Sequence, residues 1–126
     1  MIEQIQPSSV PQSSAPLSAG IKIDNLLFLS GQGPLDIAGA RVGSTFAEQA
    51  RATFDNLERV AQEAGTSLKN AVRIGAYITS LDYIDEFNTV MAEYVSAPYP
   101  ARTTIPVALR GFDVEIDAIV FVPESQ

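Results

Sequence analysis

Arg102 is the residue best suited to grip a small anion. It follows Tyr99-Pro100-Ala101, where the proline delivers the chain rigidly into a strand. A guanidinium held there can take a carboxylate through two parallel hydrogen bonds. An ion pair at the surface or at an interface would use the same residue. Glu115 and Asp117 stand two residues apart in an alternating segment, so both carboxylates leave one face of a strand, roughly 7 Å apart. Such a group can orient or deprotonate a water, and a solvated or salt-bridged edge has the same pattern. Ser30-Gly31-Gln32-Gly33-Pro34 ends an apolar run with two glycines. It is either a plain turn or a place where a ligand approaches backbone N–H groups closely. No lysine or helix start follows, so it is not a phosphate-binding P-loop.

What is missing narrows the chemistry further. The 126 residues include no cysteine and no histidine. That excludes a disulfide, a thiol nucleophile, a thiolate zinc site and a Ser-His-Asp triad. Catalysis must come from Arg, Asp, Glu, Lys, Tyr, hydroxyls, backbone groups and water. A carboxylate magnesium site stays open to the composition, but the acids do not follow an EF-hand spacing, and no metal or cofactor is expected. The net charge is −7, from 15 acids and 8 scattered bases. Phosphate neutralisation dominates nucleic-acid affinity, so neither a nucleic-acid partner nor an anionic membrane partner is expected. The start, MIEQIQPSSV, has no basic and no apolar region of a secretory signal. No apolar run approaches the roughly 20 residues of a membrane span. A cytoplasmic location is the expectation.

These residues need elements to hold them. The length fits one domain over 1–126. Residues 1–6 suit a short strand, and 7–20 (PSSVPQSSAPLSAG) an irregular arm. Residues 21–30 hold two strands with a turn at Asp24-Asn25. Residues 35–43 form a loop. A helix is predicted from Thr45 to Ala64, opened by the capping box Thr45-Phe46-Ala47-Glu48 and ended by Gly65. Its apolar stripe is Phe46, Ala50, Phe54, Leu57, Ala61 and Ala64. A strand at 71–79 places Val72, Ile74, Ala76 and Ile78 together. A second helix is predicted from Asp82 to Val95, with Phe87, Met91 and Tyr94 on its apolar stripe. Strands at 102–109 and 113–122 complete the order β, ββ, α, β, α, ββ. The pattern predicts an α+β domain with one sheet covered on one face by two helices.

Alternation in the last strand puts Val114, Ile116, Ala118, Val120 and Val122 under the helices. Asp113, Glu115, Asp117, Ile119 and Phe121 then face away. The preceding strand is expected to turn Thr103, Ile105, Val107 and Leu109 inward, and Arg102, Thr104, Pro106 and Ala108 outward. The helix-free face would carry an apolar patch edged by charge, which marks an association surface. If these two strands pair as a hairpin with Leu109 opposite Val114, Arg102 and Glu115 stand about six rungs apart, roughly 20 Å.

Several segments together resemble the Rid/YjgF family. Leu29-Ser30-Gly31-Gln32-Gly33-Pro34 is similar to that family's SGQ-x-P segment, and Gln49 to Leu57 (QARATFDNL) to its long first helix. Glu63-Ala64-Gly65-Thr66-Ser67-Leu68 matches its EAG-x-S-L ending. Pro100-Ala101-Arg102-Thr103-Thr104 resembles PAR-S, and Val114 to Ile119 (VEIDAI) resembles VEIEAIA. The matches keep the family's order and cover almost the whole chain.

The resemblance implies a chorismate-mutase-like subunit in a homotrimer, with sheets facing a central barrel and ligand clefts between subunits. It implies metal-free hydrolytic deamination of reactive 2-imino and 2-enamino acids. Arg102 would hold the substrate carboxylate and Glu115 would orient the water. Ser30, Gly31, Phe87, Ala101 and Thr104 would line the cleft. Two positions depart from many family deaminases: Leu17 stands where a tyrosine is usual, and Met91 where an asparagine is usual. Asn88 lies three residues before Met91 on a similar helical face, but is not assigned the missing role. The rival readings are a non-catalytic binder of keto or amino acids, and a protein acting on nucleic acid.

Overall fold

Six extended segments assemble one mixed sheet, and two amphipathic segments become helices. A computed structural model describes residues 1–124. The strands are β1 (Ile2–Ile5), β2 (Gly20–Ile23), β3 (Leu26–Gln32), β4 (Ala71–Ile78), β5 (Ala101–Pro106) and β6 (Val114–Phe121). The helices are α1 (Phe46–Glu63) and α2 (Ile84–Met91), and the spatial strand order is β1-β2-β3-β6-β4-β5. Among the described residues only β4 and β5 run parallel. No helix among the described residues is long and apolar enough to cross a membrane.

The local signals in α1 act as predicted. Thr45 Oγ1 accepts from the Glu48 N–H, and the Glu48 carboxylate accepts from the Thr45 N–H at 3.0 Å. Gly65 has φ +83°, and the Gly65 and Thr66 N–H groups return to Gln62 and Ala61 carbonyls, closing the helix in a Schellman motif. The helix buries Ala50, Phe54, Leu57, Val60 and Ala61 on the sheet. It lies so close to β2 that a Cβ on Gly20 would stand 2.9 Å from Val60 Cγ1. The second helix is shorter than predicted. Leu81–Tyr83 forms a 3₁₀ turn, and the regular helix ends at Met91. Phe54 packs on both Phe87 and Tyr94.

The last strand divides as expected, with Val114, Ile116, Ala118, Val120 and Val122 buried. The phase of β5 is the reverse of the prediction. Arg102 pairs with Ile74 and Thr104 with Ala76, both on the helix side, while Ala101 and Thr103 share the open face with Arg73 and Gly75. Ile105 is 42% exposed, and Pro106 moves to the helix side opposite Ile78. The physical cause is position. An edge strand beyond the cover of the helices has no fully buried face, so its apolar residues do not report which side is inward. Val72, expected beside Ile74, is exposed because the β4–β6 register shifts between Ala71 and Arg73.

The last two strands are also not a hairpin. The chain leaves β5 at one edge and re-enters between β3 and β4. Residues 107–113 are therefore a connection across the strand ends, and β5 finds its partner in β4. The open face carries Ile21, Ile23, Leu26, Phe28, Ile119 and Phe121 at one side, and Arg73, Tyr77, Thr103 and Asp117 at the other, as the registers require.

Candidate functional site

The residues singled out from the sequence fall into two groups on opposite faces of the sheet. Arg102 belongs to the first. Its backbone sits on β5 opposite Ile74, which aims the side chain at α2. The guanidinium lies 5.4 Å from the Phe87 ring centroid, within the range for cation–π attraction. Nη1 donates to Asn88 Oδ1 at 2.7 Å, and Met91 Sδ is 3.6 Å from the same nitrogen. No carboxylate lies within ion-pair distance of Arg102 among the described residues. A cavity of about 380 Å³ opens beside it, lined by Asn88, Met91, Val95, Tyr99 and Pro100. Thr104, one step along the same face, has a buried Oγ1 with no hydrogen-bond partner among the described residues. Ala101 points to the opposite face, beside Arg73.

The second group surrounds Glu115. The β3–β6 register shifts between Leu29 and Gln32. This irregularity takes Ser30 and Gly31 out of the regular ladder, as bulges beside sites often do. Gly31 lies against the Glu115 carboxylate: a Cβ there would be 2.6 Å from Glu115 Oε2. The Ser30 hydroxyl donates to the Ser18 carbonyl at 2.6 Å, and the Ser30 N–H donates to the Ala19 carbonyl at 2.9 Å. Those two bonds tie the arm to the strand end. Leu17, 55% exposed, joins Gln4, Gln6, Ser30, Gly31 and Glu115 around a cleft of about 540 Å³. Burial first, and the nearby Asp117 charge second, raise the Glu115 pKa above its ordinary value of 4.5. A carboxyl shifted this way is better matched to proton transfer near neutrality.

Asp117 does not work beside Glu115. Its Oδ2 accepts from the Tyr77 hydroxyl at 3.0 Å, and its carboxylate folds over Gly75. That hydrogen bond is also the main reason the Tyr77 pKa is raised. Tyr77 was not singled out from the sequence, though alternation through Arg73, Gly75 and Tyr77 sets it on the open face. Asn88 was set aside too. Its spacing from Met91, one helical turn, was the signal that it reaches the same place.

The registers replace the hairpin estimate of the Arg102–Glu115 distance. Arg102 stands level with Ala118, and Glu115 level with Tyr77. Three residues along the strands and two strands across put the backbones roughly 14 Å apart, with the side chains on opposite faces. One chain therefore carries two candidate groups that cannot meet. Among the described residues, no cluster of three or more His, Cys, Asp or Glu could hold a metal ion.

The model of the endoribonuclease L-PSP family matches residues 7–122. The chain belongs to this family, which is also the YjgF/RidA/RutC family. The resemblance drawn from the five sequence segments is thus correct. The RutC family protein y4sK of Sinorhizobium fredii is 38% identical, covering 95% of this chain and 98% of that protein. The 2-iminobutanoate/2-iminopropanoate deaminase of Dermatophagoides farinae is 29% identical, covering 89% and 90%. The crystal structure of RidA from an Antarctic Psychrobacter superposes with TM-score 0.87 at 30% identity, covering 95% and 99%. Escherichia coli TdcF, solved with bound serine, superposes with TM-score 0.85 at 25% identity, covering 96% and 99%.

Proposed function

We propose that this RidA-family chain hydrolyses reactive 2-imino and 2-enamino acids to 2-keto acids and ammonia, in a cleft shared between subunits of a homotrimer. The observation that carries the reading is the pair of half-sites. One holds a guanidinium with no carboxylate partner among the described residues, and the other a carboxyl whose pKa is raised. Each lacks what the other has. If the open face of one subunit packs against the β5 edge and α2 of its neighbour, the neighbour's Arg102 can face Glu115. The apolar patch of Phe28, Ile119 and Phe121 supports that packing.

In this reading Arg102 takes the substrate carboxylate, and the Thr104 hydroxyl and the Gly31 backbone complete the cradle. Glu115 accepts a proton from water as the water oxygen bonds to the iminium carbon. The same carboxyl returns the proton to nitrogen; as the C–N bond breaks and ammonia leaves, the hydroxyl gives its proton to Glu115, the carbonyl forms, and the proton passes on to the departing ammonia as ammonium. The iminium carbon is already electrophilic, so positioning supplies most of the rate, and good positioning is worth several kcal/mol. The net charge of −7 favours a small-molecule substrate over RNA. Leu17 and Met91 favour a second reading, a keto- or amino-acid binder without turnover, since each brings an apolar side chain to its half-site.

The test is turnover of imines generated in place from several amino acids by an amino-acid oxidase, comparing the intact protein with Arg102→Ala. Imine loss accelerated by the intact protein and not by the variant is the expected result. If neither beats buffer on any imine, the binding reading replaces this one.

A further inference from the structure

We infer that Gln49 and Asn56, two buried amides on α1, are positioning residues that hold the two walls of the Glu115 cleft, an inference that rests on the reading of Glu115 as the group that activates water. They stand seven residues apart, two helical turns, so both leave one face of α1. Gln49 is 1% exposed and Asn56 2%. An amide sealed in a core is unfavourable unless its polar atoms are paired, and here each amide pairs with a segment that borders the cleft.

Gln49 holds Asp113. The Asp113 backbone N–H donates to Gln49 Oε1 at 2.9 Å, which turns Nε2 to the Asp113 carboxylate, where it donates to Oδ2 at 3.2 Å. Thr79 completes the grip from the end of β4. Its hydroxyl donates to Asp113 Oδ1 at 2.8 Å, and its N–H to the Asp113 carbonyl at 3.1 Å. Asp113 lies between Phe112 and the first residue of β6, two residues ahead of Glu115. These bonds fix where β6 begins, and with it the register that sets Glu115 opposite Tyr77. A slip of one residue would send the carboxyl to the other face of the sheet.

Asn56 holds the other wall. Its Nδ2 donates to the Gly33 carbonyl at 3.1 Å and to the Leu35 carbonyl at 2.9 Å, and its Oδ1 accepts from Arg59 Nη1 at 2.9 Å. The two walls touch each other. The Phe112 ring covers Gly33 so closely that a Cβ there would stand 2.9 Å from Phe112 Cζ. Gly33, Leu35, Phe112 and Glu115 all line the cleft of about 540 Å³, and among the described residues α1 puts no side chain into it. The helix therefore acts on Glu115 through the segments it holds. An apolar side chain at either position would fill the volume and leave the held groups unpaired.

The experiment compares the intact protein with Gln49→Leu, with Asn56→Leu, and with Gln49→Glu combined with Asp113→Asn. In that pair the donor and acceptor of the side-chain contact change places, and the backbone N–H keeps its acceptor. Two quantities are measured: the titration midpoint of the Glu115 carboxyl by carbon NMR, and kcat and KM on oxidase-generated imines. Circular dichroism and thermal unfolding check the fold. Loosened walls let water reach Glu115, whose pKa is raised first by burial, so both leucine variants should bring its midpoint down toward 4.5. Asp117 and Tyr77, the titratable groups beside Glu115 on the open face, are unaltered throughout. Both leucine variants should lower kcat by about tenfold or more, with a smaller change in KM, since Arg102 is untouched. The exchanged pair should return both quantities to near the intact values. Amides that merely stabilised α1 would lower the unfolding temperature and leave the Glu115 midpoint in place. Folded leucine variants with the intact midpoint and kcat overturn the inference, and so does an exchanged pair that regains stability without the midpoint. Should a leucine variant not fold, Thr79→Val, which removes a single hydrogen bond from the grip on Asp113, takes its place with smaller shifts in the same directions expected, and unmoved values there overturn the inference. If the intact protein turns over no imine, the reading of Glu115 fails, while the midpoints still decide whether the two amides position it.

Discussion

Replacing Thr104 by valine should raise stability and lower ligand affinity together. The Thr104 Oγ1 is buried and has no hydrogen-bond partner among the described residues. A buried polar group left unpaired costs about 1 to 3 kcal/mol. Valine keeps the branched shape that suits a strand, removes that penalty and puts a methyl in the same space. The native state should gain about 1 to 3 kcal/mol, and for a domain of this size each kcal/mol raises Tm by roughly 4 °C. The same hydroxyl lies one step along the helix-side face from Arg102, where a ligand carboxylate would give it an acceptor. A hydrogen bond to a charged group is worth about 1.5 to 3 kcal/mol, so 2-oxobutanoate should bind about tenfold or more weakly to Thr104→Val. Differential scanning calorimetry and isothermal titration on the same preparation read both quantities. A stabilised variant with unchanged affinity would show that the hydroxyl takes no part in binding. A destabilised variant would show that the hydroxyl is already satisfied in solution, and the premise would fail.

Glu115→Gln should be more stable than the parent at pH 7 and equal to it at low pH. The folded-state pKa of Glu115 is raised above 4.5, so the folded protein binds more protons there than the unfolded chain does. Stability from this group is present below the unfolded pKa and lost as pH rises through the folded value. Urea midpoints from pH 4 to pH 7 measure the gap, and a gap that narrows as pH rises has the wrong sign for this mechanism. Thr45→Ala should cost about 1 kcal/mol in urea unfolding at pH 7, with the slope unchanged, because it removes the hydroxyl that accepts from Glu48 N–H. An unshifted midpoint would mean the capping box contributes nothing to α1.

Much of this protein was legible before any fold was known. The capping box at Thr45 and the glycine at position 65 bound α1 because caps are local hydrogen-bond arrangements, completed within four residues. Two-residue alternation in β6 sorted Val114, Ile116, Ala118, Val120 and Val122 inward, since that strand is central and one face is fully covered. The absence of histidine and cysteine, and the arginine after a proline turn, restricted the chemistry without reference to shape. The five family segments reached the right family. What the chain could not announce was pairing between distant strands. Nothing local says that β6 returns to the middle of the sheet, or that β5 pairs in parallel with β4 at an edge. Those choices depend on the packing of α1 and α2 over the whole sheet. They inverted the face of Arg102, set its side chain on Phe87 and Asn88, and drew Asp117 away to Tyr77. The sequence alone determined the elements, the family and the candidate groups, because those rest on short-range hydrogen bonding and residue type. Tertiary structure alone decided which groups meet, because that depends on strand order and register, and it placed Arg102 and Glu115 on opposite faces of one chain.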